Sequence, residues 1–350
     1  MTARLEPSHA GGVPEAVSAR TVSPPGGTAP GGAPRAARFA ERITDAEYAA
    51  GWRLVQMLPQ SPALGAFRLG ADLAARRGGA GVRRLRANLA RVVPSASPAE
   101  LDALVREGMR SYARYWWEMF RLPAMDPAEI HARTDPFVIG SGPFFEALDA
   151  GRPVVFAVPH SGNWDTAGVW LVEMLRRRGL PPAFTTVAQR LRPESLYRRF
   201  VAYRESLGFE VVAAEDGSAA YRALIRRLRA GGVVCLVADR DVTATGVEVQ
   251  FLGEPARLPA GPARLAGLTG ALLVPAYPRF TPDAWLLRMA EPVPVGRGTD
   301  AVAKATQDVA DTFGRLIAEA PADWHALQPI WTADHTPHGE ASAEGSEADR

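Results

Sequence analysis

The chain has 350 residues, of which 47% are apolar, so it is long and apolar enough to build a sizeable hydrophobic core. Its formal net charge is only +2, which does not favour a protein that binds nucleic acid. Its single cysteine, Cys235, excludes an internal disulfide and a cysteine-rich metal site.

The two ends of the chain have the composition of disordered segments. Residues 1–38 are rich in Pro, Gly, Ala and Ser, and such a segment cannot bury enough apolar surface to offset the entropy lost on ordering. Residues 334–350 have the same character. We therefore predict one folded domain over residues 39–333, between a disordered N-terminal extension and a disordered tail.

Within that domain, residues 39–122 show the spacing of amphipathic helices, because apolar side chains recur every three or four residues. Residues 97–100, Ser-Pro-Ala-Glu, are typical of a helix N-terminus. No stretch approaches the roughly 20 apolar residues that span a bilayer, and the first residues lack the apolar core of a signal peptide. The predicted helices cover residues 49–57, 64–77, 82–92 and 98–122.

Residues 123–333 alternate short apolar runs, most of them rich in β-branched residues, with helical segments. This alternation predicts an α/β fold with a mostly parallel central sheet flanked by helices. The predicted strands cover residues 153–158, 184–187, 210–212, 233–237 and 272–277. The predicted helices cover residues 165–178, 194–207, 219–229, 262–268 and 300–320.

The sharpest chemical feature joins the strand that ends at Val158 to the next helix: residues 159–165 read Pro-His-Ser-Gly-Asn-Trp-Asp. Open α/β sheets bind their ligands at the carboxyl ends of the strands. There, a carboxylate on Asp165 can accept a hydrogen bond from one ring nitrogen of His160. The other nitrogen can then deprotonate a hydroxyl group, so the pair is a candidate general base and its orienting partner.

A structural interpretation of the same segment is also open, because Asp165 in the first turn would stabilise the helix dipole beside an ordinary loop histidine. The distribution of histidines favours catalysis. Of six, three lie in the predicted disordered ends, and only His160 follows a predicted buried strand. A metal hydrolase is not expected, because the folded region contains no close histidine pair such as His-Glu-x-x-His.

Residues 157–165 resemble the His-x4-Asp block of bacterial lipid acyltransferases. More narrowly, the chain resembles the late-acyltransferase branch, which includes lipid A acyltransferases and phosphatidylinositol mannoside acyltransferases. In glycerol-phosphate acyltransferases an Asn typically precedes the histidine, and Pro159 in its place favours a glycolipid acceptor over a lysophospholipid. The narrower resemblance rests on residues 191–200, 203–210, 238–241, 259–263 and 324–331.

The resemblance implies transfer of a fatty acyl group from acyl-CoA, or an acyl carrier protein thioester, to a mannose hydroxyl of a mannosylated phosphatidylinositol, without a cofactor or metal. His160 would be the general base. Asp165 would either orient His160 or support the loop while another acid does so. Asp239 is the candidate for that acid, but the sequence does not separate it from Asp241. The resemblance also implies that no covalent acyl-enzyme forms, so Ser161 is a poor candidate for a nucleophile, and the segment lacks the Gly-x-Ser-x-Gly pattern of hydrolases.

Two concentrations of arginine suit anionic partners. Residues 176–204 hold eight arginines and one acid, and arginine binds phosphate bidentately, as in a CoA or phosphoinositide group. Residues 68–91 hold seven arginines and one acid, which suits an anionic lipid surface or a solvated face of a core helix. We expect a peripheral protein on the cytoplasmic face of the plasma membrane. The predicted substrate contacts are Asn163, Arg190, Arg204 and Arg240.

One alternative of a different class remains open from the sequence. An inactive lipid-binding relative could keep the same motifs, although the intact pair of His160 and Asp165 favours an enzyme.

Overall fold

The computed structural model describes residues 60–190, 194–241 and 245–335. Its first three helices are α1 (Gln60–Arg77), α2 (Ala80–Val92) and α3 (Pro98–Arg121). They match the predicted segments to within four residues at each end. The predicted helix 49–57 and the predicted disordered extension lie outside the described residues.

Helix α3 begins where its capping sequence predicts. The Ser97 hydroxyl accepts a hydrogen bond from the Glu100 backbone N–H at 3.4 Å, and the Glu100 carboxylate accepts one from the Ser97 backbone N–H at 2.8 Å. These two bonds form a capping box, which satisfies backbone donors that a helix N-terminus leaves unpaired.

The remainder of the described chain alternates strands and helices. The strands are β1 (Val138–Ile139), β2 (Val154–Val158), β3 (Phe184–Ala188), β4 (Phe209–Ala213), β5 (Val233–Val237), β6 (Val247–Phe251), β7 (Glu254–Leu258), β8 (Leu272–Phe280) and β9 (Trp285–Met289). The helices are α4 (Pro127–Thr134), α5 (Gly142–Asp149), α6 (Trp164–Arg177), α7 (Glu194–Ser206), α8 (Ser218–Arg229), α9 (Gly261–Thr269) and α10 (Thr299–Glu319).

Seven strands form the central sheet, in the order β1-β9-β8-β2-β5-β3-β4. The run from β8 to β4 is parallel throughout, as predicted. Strand β9 pairs antiparallel with β8, and β1 pairs parallel with β9. The α/β fold with a mostly parallel sheet is therefore confirmed, with an antiparallel edge that the sequence does not predict.

The sequence also fails to predict the β6–β7 hairpin, which forms a separate two-stranded sheet. In β6 only alternate residues are apolar, so it lacks the continuous apolar run that marks the buried parallel strands. Its buried residues, Val249 and Phe251, lie in the same core as β2. The hairpin therefore covers one face of the domain without joining the central sheet.

Helices cover both faces of the central sheet, because successive side chains of a strand point to opposite faces. Val155 and Ala157 of β2 belong to one buried cluster, with side chains of α2, α3, α8, α9 and α10. Val154, Phe156 and Val158 belong to the other, with side chains of α5 and α6. The first helices thus share one core with the sheet.

Two residues of the predicted tail belong to this fold. A short 3-10 helix covers Thr332–His335, and Asp334 forms ion pairs with Arg84 at 2.7 Å and Arg91 at 3.2 Å. The composition of residues 334–350 does not anticipate these pairs, because both arginines are about 250 positions earlier in the chain. Among the described residues, no helix combines the length and the apolar character needed to cross a membrane.

Candidate active site

The register between β2 and β5 brings His160 and Asp239 together. Val158 lies opposite Val237 in the parallel pair, and each of the two polar residues follows its strand by two positions. The His160 Nδ1 atom lies 2.6 Å from the Asp239 Oδ1 atom, and the His160 backbone N–H donates to Asp239 Oδ2 at 3.1 Å. Both residues lie at the carboxyl edge of the sheet.

This contact fixes which nitrogen of His160 carries the proton. An ionised carboxylate only accepts hydrogen bonds, so Nδ1 must donate, and Nε2 is then the nitrogen that can accept a proton. The side chain of His160 is 35% exposed, whereas that of Asp239 is 2% exposed. The arrangement is that of a general base oriented by a buried acid.

Asp239 is ionised despite its burial. Burial alone would raise the pKa of its carboxyl group. The charge of His160 and hydrogen bonds from the His160 ring, the His160 backbone and the Trp324 indole outweigh that cost, and they lower the pKa to about 2. Asp239 therefore carries its negative charge across the neutral pH range.

Asp165 has a different set of contacts. Its carboxylate accepts hydrogen bonds from Arg204 Nε at 2.8 Å and from Arg204 Nη2 at 3.1 Å. Its side chain is buried in the first turn of α6, and this bidentate pair ties α6 to α7. Asp241, which the sequence does not separate from Asp239 as the partner of His160, accepts a hydrogen bond from the Gly246 backbone N–H at 2.6 Å.

The loop between His160 and α6 is held by two residue-specific contacts. Gly162 has a φ of +48°, and a Cβ atom there would lie 2.6 Å from the Pro278 carbonyl oxygen, so only glycine fits. Asn163 caps α6 by accepting hydrogen bonds from the backbones of Asp165 and Thr166, each at 3.1 Å. Its amide also donates to Glu118 at 2.8 Å. Asn163 is therefore buried in the scaffold of the loop.

The segment 323–325 lies directly against this loop. The Gly162 backbone N–H donates to the Asp323 carbonyl at 2.9 Å, and the His325 backbone N–H donates to the His160 carbonyl at 2.8 Å. Between them, the Trp324 indole donates to Asp239 Oδ2 at 2.9 Å.

A second histidine packs behind the first. The Ser111 hydroxyl donates to Asp323 Oδ1 at 2.6 Å, and it lies 3.0 Å from His325 Nε2. Because the hydroxyl proton is directed at Asp323, Nε2 must be the donor to Ser111. Burial lowers the pKa of His325 to about 3, so its ring is neutral at physiological pH.

An apolar cavity of about 90 Å³ lies between α6 and the sheet, next to the loop. Trp164 lies between the cavity and the histidine: it lines the cavity, its ring centroid is 5.7 Å from that of His160, and it stacks on Tyr115 at 4.2 Å. Most of the lining is apolar, and it includes Phe156, Val158, Phe184, Phe209 and Cys235. The site therefore combines a candidate base at the sheet edge with an apolar space beside it.

The sequence model of bacterial lipid A biosynthesis acyltransferases matches residues 35–333. The chain belongs to this acyltransferase family. It is 51% identical over 295 residues to a phosphatidylinositol mannoside acyltransferase of Mycolicibacterium smegmatis, covering 84% of this chain and 93% of the relative. It is 48% identical over 292 residues to one of Mycobacterium tuberculosis, covering 83% and 89%. The resemblance seen in the separate sequence segments is thus confirmed.

For this acyltransferase, the three predicted arginine contacts fall in different surroundings. Arg204 is paired with Asp165 and lines the apolar cavity. Arg190 is half exposed and lies near the acidic side chains of Asp216 at 3.4 Å and Glu194 at 3.6 Å. Arg240 directly follows Asp239, and burial lowers the pKa of its guanidinium group. Contact of any of them with substrate stays a prediction.

The acyltransferase site also contains residues that the motif analysis does not identify. Ser111 and Glu118 of α3 contact the loop region, although α3 shows only helical periodicity in the sequence. Trp324 falls within a family-like segment, but nothing local indicates its contact with Asp239, 85 positions earlier. Within the described residues, no group of three or more His, Cys, Asp or Glu side chains is arranged to hold a metal ion.

Proposed function

We propose that this acyltransferase transfers a fatty acyl group from acyl-CoA to a mannose hydroxyl of phosphatidylinositol mannoside, with His160 as the general base. The observation that carries the proposal is the contact of 2.6 Å between His160 and the buried Asp239 at the carboxyl edge of the sheet. The choice of acceptor is supported by two phosphatidylinositol mannoside acyltransferases that are 51% and 48% identical to this chain.

The chemistry follows from the orientation of the ring. Nε2 of His160 accepts the proton of the acceptor hydroxyl as its oxygen attacks the thioester carbon. The carbon–sulfur bond then breaks, and the departing thiolate takes the proton back from the imidazolium ion. Asp239 stabilises that imidazolium ion during the reaction because its pKa of about 2 keeps it negatively charged. The products are an ester and a free thiol.

The apolar cavity supports a fatty acyl donor. Burying an alkyl chain releases about 0.8 kcal/mol per methylene group, and the cavity offers aromatic and aliphatic walls for that purpose. Trp164 lines this space and also contacts His160. A chain held there would present its thioester carbon beside the base.

The charged ends of the substrates need other contacts. We propose Arg190 and Arg240 as groups for the phosphates of the donor or acceptor, because arginine forms bidentate hydrogen bonds with phosphate. Of the two, Arg240 is the better candidate. It follows Asp239 directly, and its Nε has no hydrogen-bond partner among the described residues. Arg204 and Asn163 also support the site through Asp165 and Glu118, and their contact with substrate stays a prediction.

We also propose that α1 rests on the cytoplasmic face of the plasma membrane. Leu69 is 71% exposed and Leu73 is 44% exposed, and residues four apart share one face of a helix. The exposed Arg68 and Arg76 belong to the same helix. Exposed apolar residues next to basic ones favour an anionic lipid surface over a purely solvated face.

The decisive experiment measures thioester turnover by the purified full-length protein with palmitoyl-CoA, with and without phosphatidylinositol mannoside. We expect acceptor-dependent release of CoA that His160→Ala reduces by about 1000-fold or more, because the reaction loses its base. The matched control is His335→Ala, which changes an exposed histidine at the end of the described fold.

Other outcomes would change the assignment in defined ways. CoA release that depends on a different glycolipid or a lysophospholipid would correct the acceptor, and turnover only with an acyl carrier protein thioester would correct the donor. No turnover with any pair would favour the inactive lipid-binding alternative. Full activity of His160→Ala would refute His160 as the base.

A further inference from the structure

The carboxylate of Asp239 receives hydrogen bonds at both of its oxygens. Oδ1 faces the His160 ring, and Oδ2 accepts from the His160 backbone at 3.1 Å and from the Trp324 indole at 2.9 Å. Trp324 and Asp239 are both buried, at 0% and 1% exposure. The orientation of the carboxylate plane, on which the direction of the His160 ring depends, is therefore set in part by a residue from the far end of the chain.

Trp324 is itself held rigidly. Its ring meets those of Phe251 and Trp331 edge-on, with centroids 6.0 Å and 6.1 Å away. On either side of it, the backbone of Asp323 and His325 is hydrogen-bonded to that of Gly162 and His160. The ring contacts and the neighbouring backbone hydrogen bonds therefore fix the position of the indole N–H donor.

We infer that Trp324 is a positioning residue for the proposed acyl transfer: its indole N–H holds Asp239 in the orientation that directs His160 Nε2 at the acceptor. The rotation of a carboxylate about its last bond is otherwise loosely restricted. Without the indole, Oδ2 keeps only the His160 backbone bond, and the ring turns away from the reacting geometry for part of the time. A misplacement of about 1 Å lowers the rate of a positioned reaction by up to about 100-fold.

The chain offers a matched control for this inference. Trp331 is also 0% exposed, belongs to the same buried cluster, and donates its indole N–H at 2.8 Å, but to the backbone carbonyl of Phe251. Replacement of either tryptophan by phenylalanine removes the same atoms and one buried hydrogen bond. Only the Trp324 bond ends on Asp239.

The experiment compares Trp324→Phe and Trp331→Phe in the full-length protein by kcat, KM and melting temperature. We expect Trp324→Phe to lower kcat by about 10-fold or more with KM changed less than about twofold. Trp331→Phe, which changes a ring packed against Trp324 but removes no hydrogen bond to Asp239, should lower kcat by clearly less than Trp324→Phe does, while both melting temperatures fall by a similar amount. In an Asp239→Asn background, Trp324→Phe should lower the residual kcat by less than about twofold, because both changes act through one contact.

Three results would overturn the inference. They are equal kcat values for the two variants, a change in the KM of Trp324→Phe with no change in its kcat, or a loss of kcat on Trp324→Phe that is as large in the Asp239→Asn background as in the wild type. If Trp324→Phe does not fold, benzothienylalanine at position 324 keeps the bicyclic ring and replaces only the N–H, so the same comparison applies. The inference rests on the proposed function, and the two fail differently. Normal turnover by His160→Ala refutes the function, whereas inactive His160→Ala with active Trp324→Phe refutes only the positioning role.

Discussion

At the scale of single residues, the two histidines of the candidate site have opposite environments. His160 is partly exposed and hydrogen-bonded to an ionised acid, whereas His325 is buried against Ser111 and the rings of Tyr112 and Tyr115. Burial disfavours the charged form of an imidazole, so the pKa of His325 is lowered to about 3. The same residue type is thus a candidate base in one place and a neutral structural donor in the other.

The lowered pKa of His325 predicts how stability depends on pH. Between about pH 6.5, the pKa of an unfolded histidine, and about pH 3, the unfolded chain binds a proton here that the folded chain does not. The free energy of unfolding must therefore fall as the pH falls through that window. The contribution of His325 is fully present above pH 6.5.

We expect a His325→Asn variant to show a smaller loss of melting temperature between pH 6.5 and pH 4 than the wild type, measured by scanning calorimetry. The neighbouring Asp323, whose pKa burial raises, has the opposite effect in both proteins, so the difference isolates His325. Identical pH slopes in the two proteins would show that His325 is not held neutral by burial.

The sequence allows only part of this residue-level picture. His160 and Asp239 were both candidates because each follows a buried apolar run. Separation of Asp239 from Asp165 and Asp241 requires the pairing of Val158 with Val237, which joins residues 79 positions apart. Trp324 lies in a segment that resembles the family, but nothing local indicates its contact with Asp239, because tertiary packing brings the two together.

At the scale of elements, the strand-to-helix turn that carries His160 depends on one glycine. Ala at Gly162 would meet the backbone of Pro278 at 2.6 Å and would also adopt an unfavourable positive φ. Gly253 separates these effects, because it has a φ of +85° but no atom within 4 Å of an added Cβ. The two glycines therefore share backbone strain and differ in the clash.

We expect Gly162→Ala to lower kcat by about 10-fold or more, because the clash displaces the His160 loop from Asp239. Gly253→Ala should lower the melting temperature through strain of about 1–2 kcal/mol and leave kcat within about twofold. Steady-state kinetics and thermal melting of both variants provide the test. Equal kcat values would mean that the turn does not set the geometry of the base.

The proposed lipid-facing surface of α1 makes a second prediction at this scale. Leu69→Gln combined with Leu73→Gln removes apolar area but no charge, and we expect it to reduce binding to vesicles of anionic lipid by about 10-fold. Leu268→Gln is the control, since Leu268 is 55% exposed but lies on α9. Co-sedimentation with vesicles measures both. Equal loss in the two variants would argue against α1 as the contact.

A strand is predicted correctly from the sequence where its own residues carry the pattern, without reference to the strand with which it pairs. Strand β5 is read correctly from Val233 to Val237 because its run is continuous and apolar. Strand β9, Trp285–Met289, is missed because it has no β-branched residue, and it becomes a strand through pairing with β8. Strand β1 is only two residues long and depends in turn on β9.

At the scale of the whole molecule, the site is assembled from distant parts of the described chain. Helix α3 contributes Ser111 and Glu118, the sheet contributes the loop and Asp239, and the segment after α10 contributes Trp324. Residues on both sides of position 122, where the predicted helical part meets the predicted α/β part, therefore contribute to the site. The sheet edge positions the candidate base, and α3 and the segment after α10 contact its surroundings.

The apolar cavity is the other whole-molecule feature, because its walls come from α6, α7 and the strands β2, β3, β4, β5, β8 and β9. Cys235 lines it from β5, and burial raises the pKa of its thiol, so the side chain acts there as a small apolar group. Replacement by Leu would fill part of the roughly 90 Å³ that an alkyl chain could occupy. Replacement by Ala would enlarge the space instead.

We expect Cys235→Leu to lower kcat/KM for palmitoyl-CoA by about 10-fold or more, and to affect butyryl-CoA by less than about threefold. Cys235→Ala is the control and should keep the ratio between the two donors near that of the wild type. Overpacking also destabilises a core, by about 1–3 kcal/mol, but a general loss of folded protein would lower both activities alike. A change in the ratio therefore reports the cavity itself, and an unchanged ratio in Cys235→Leu would place the acyl chain elsewhere.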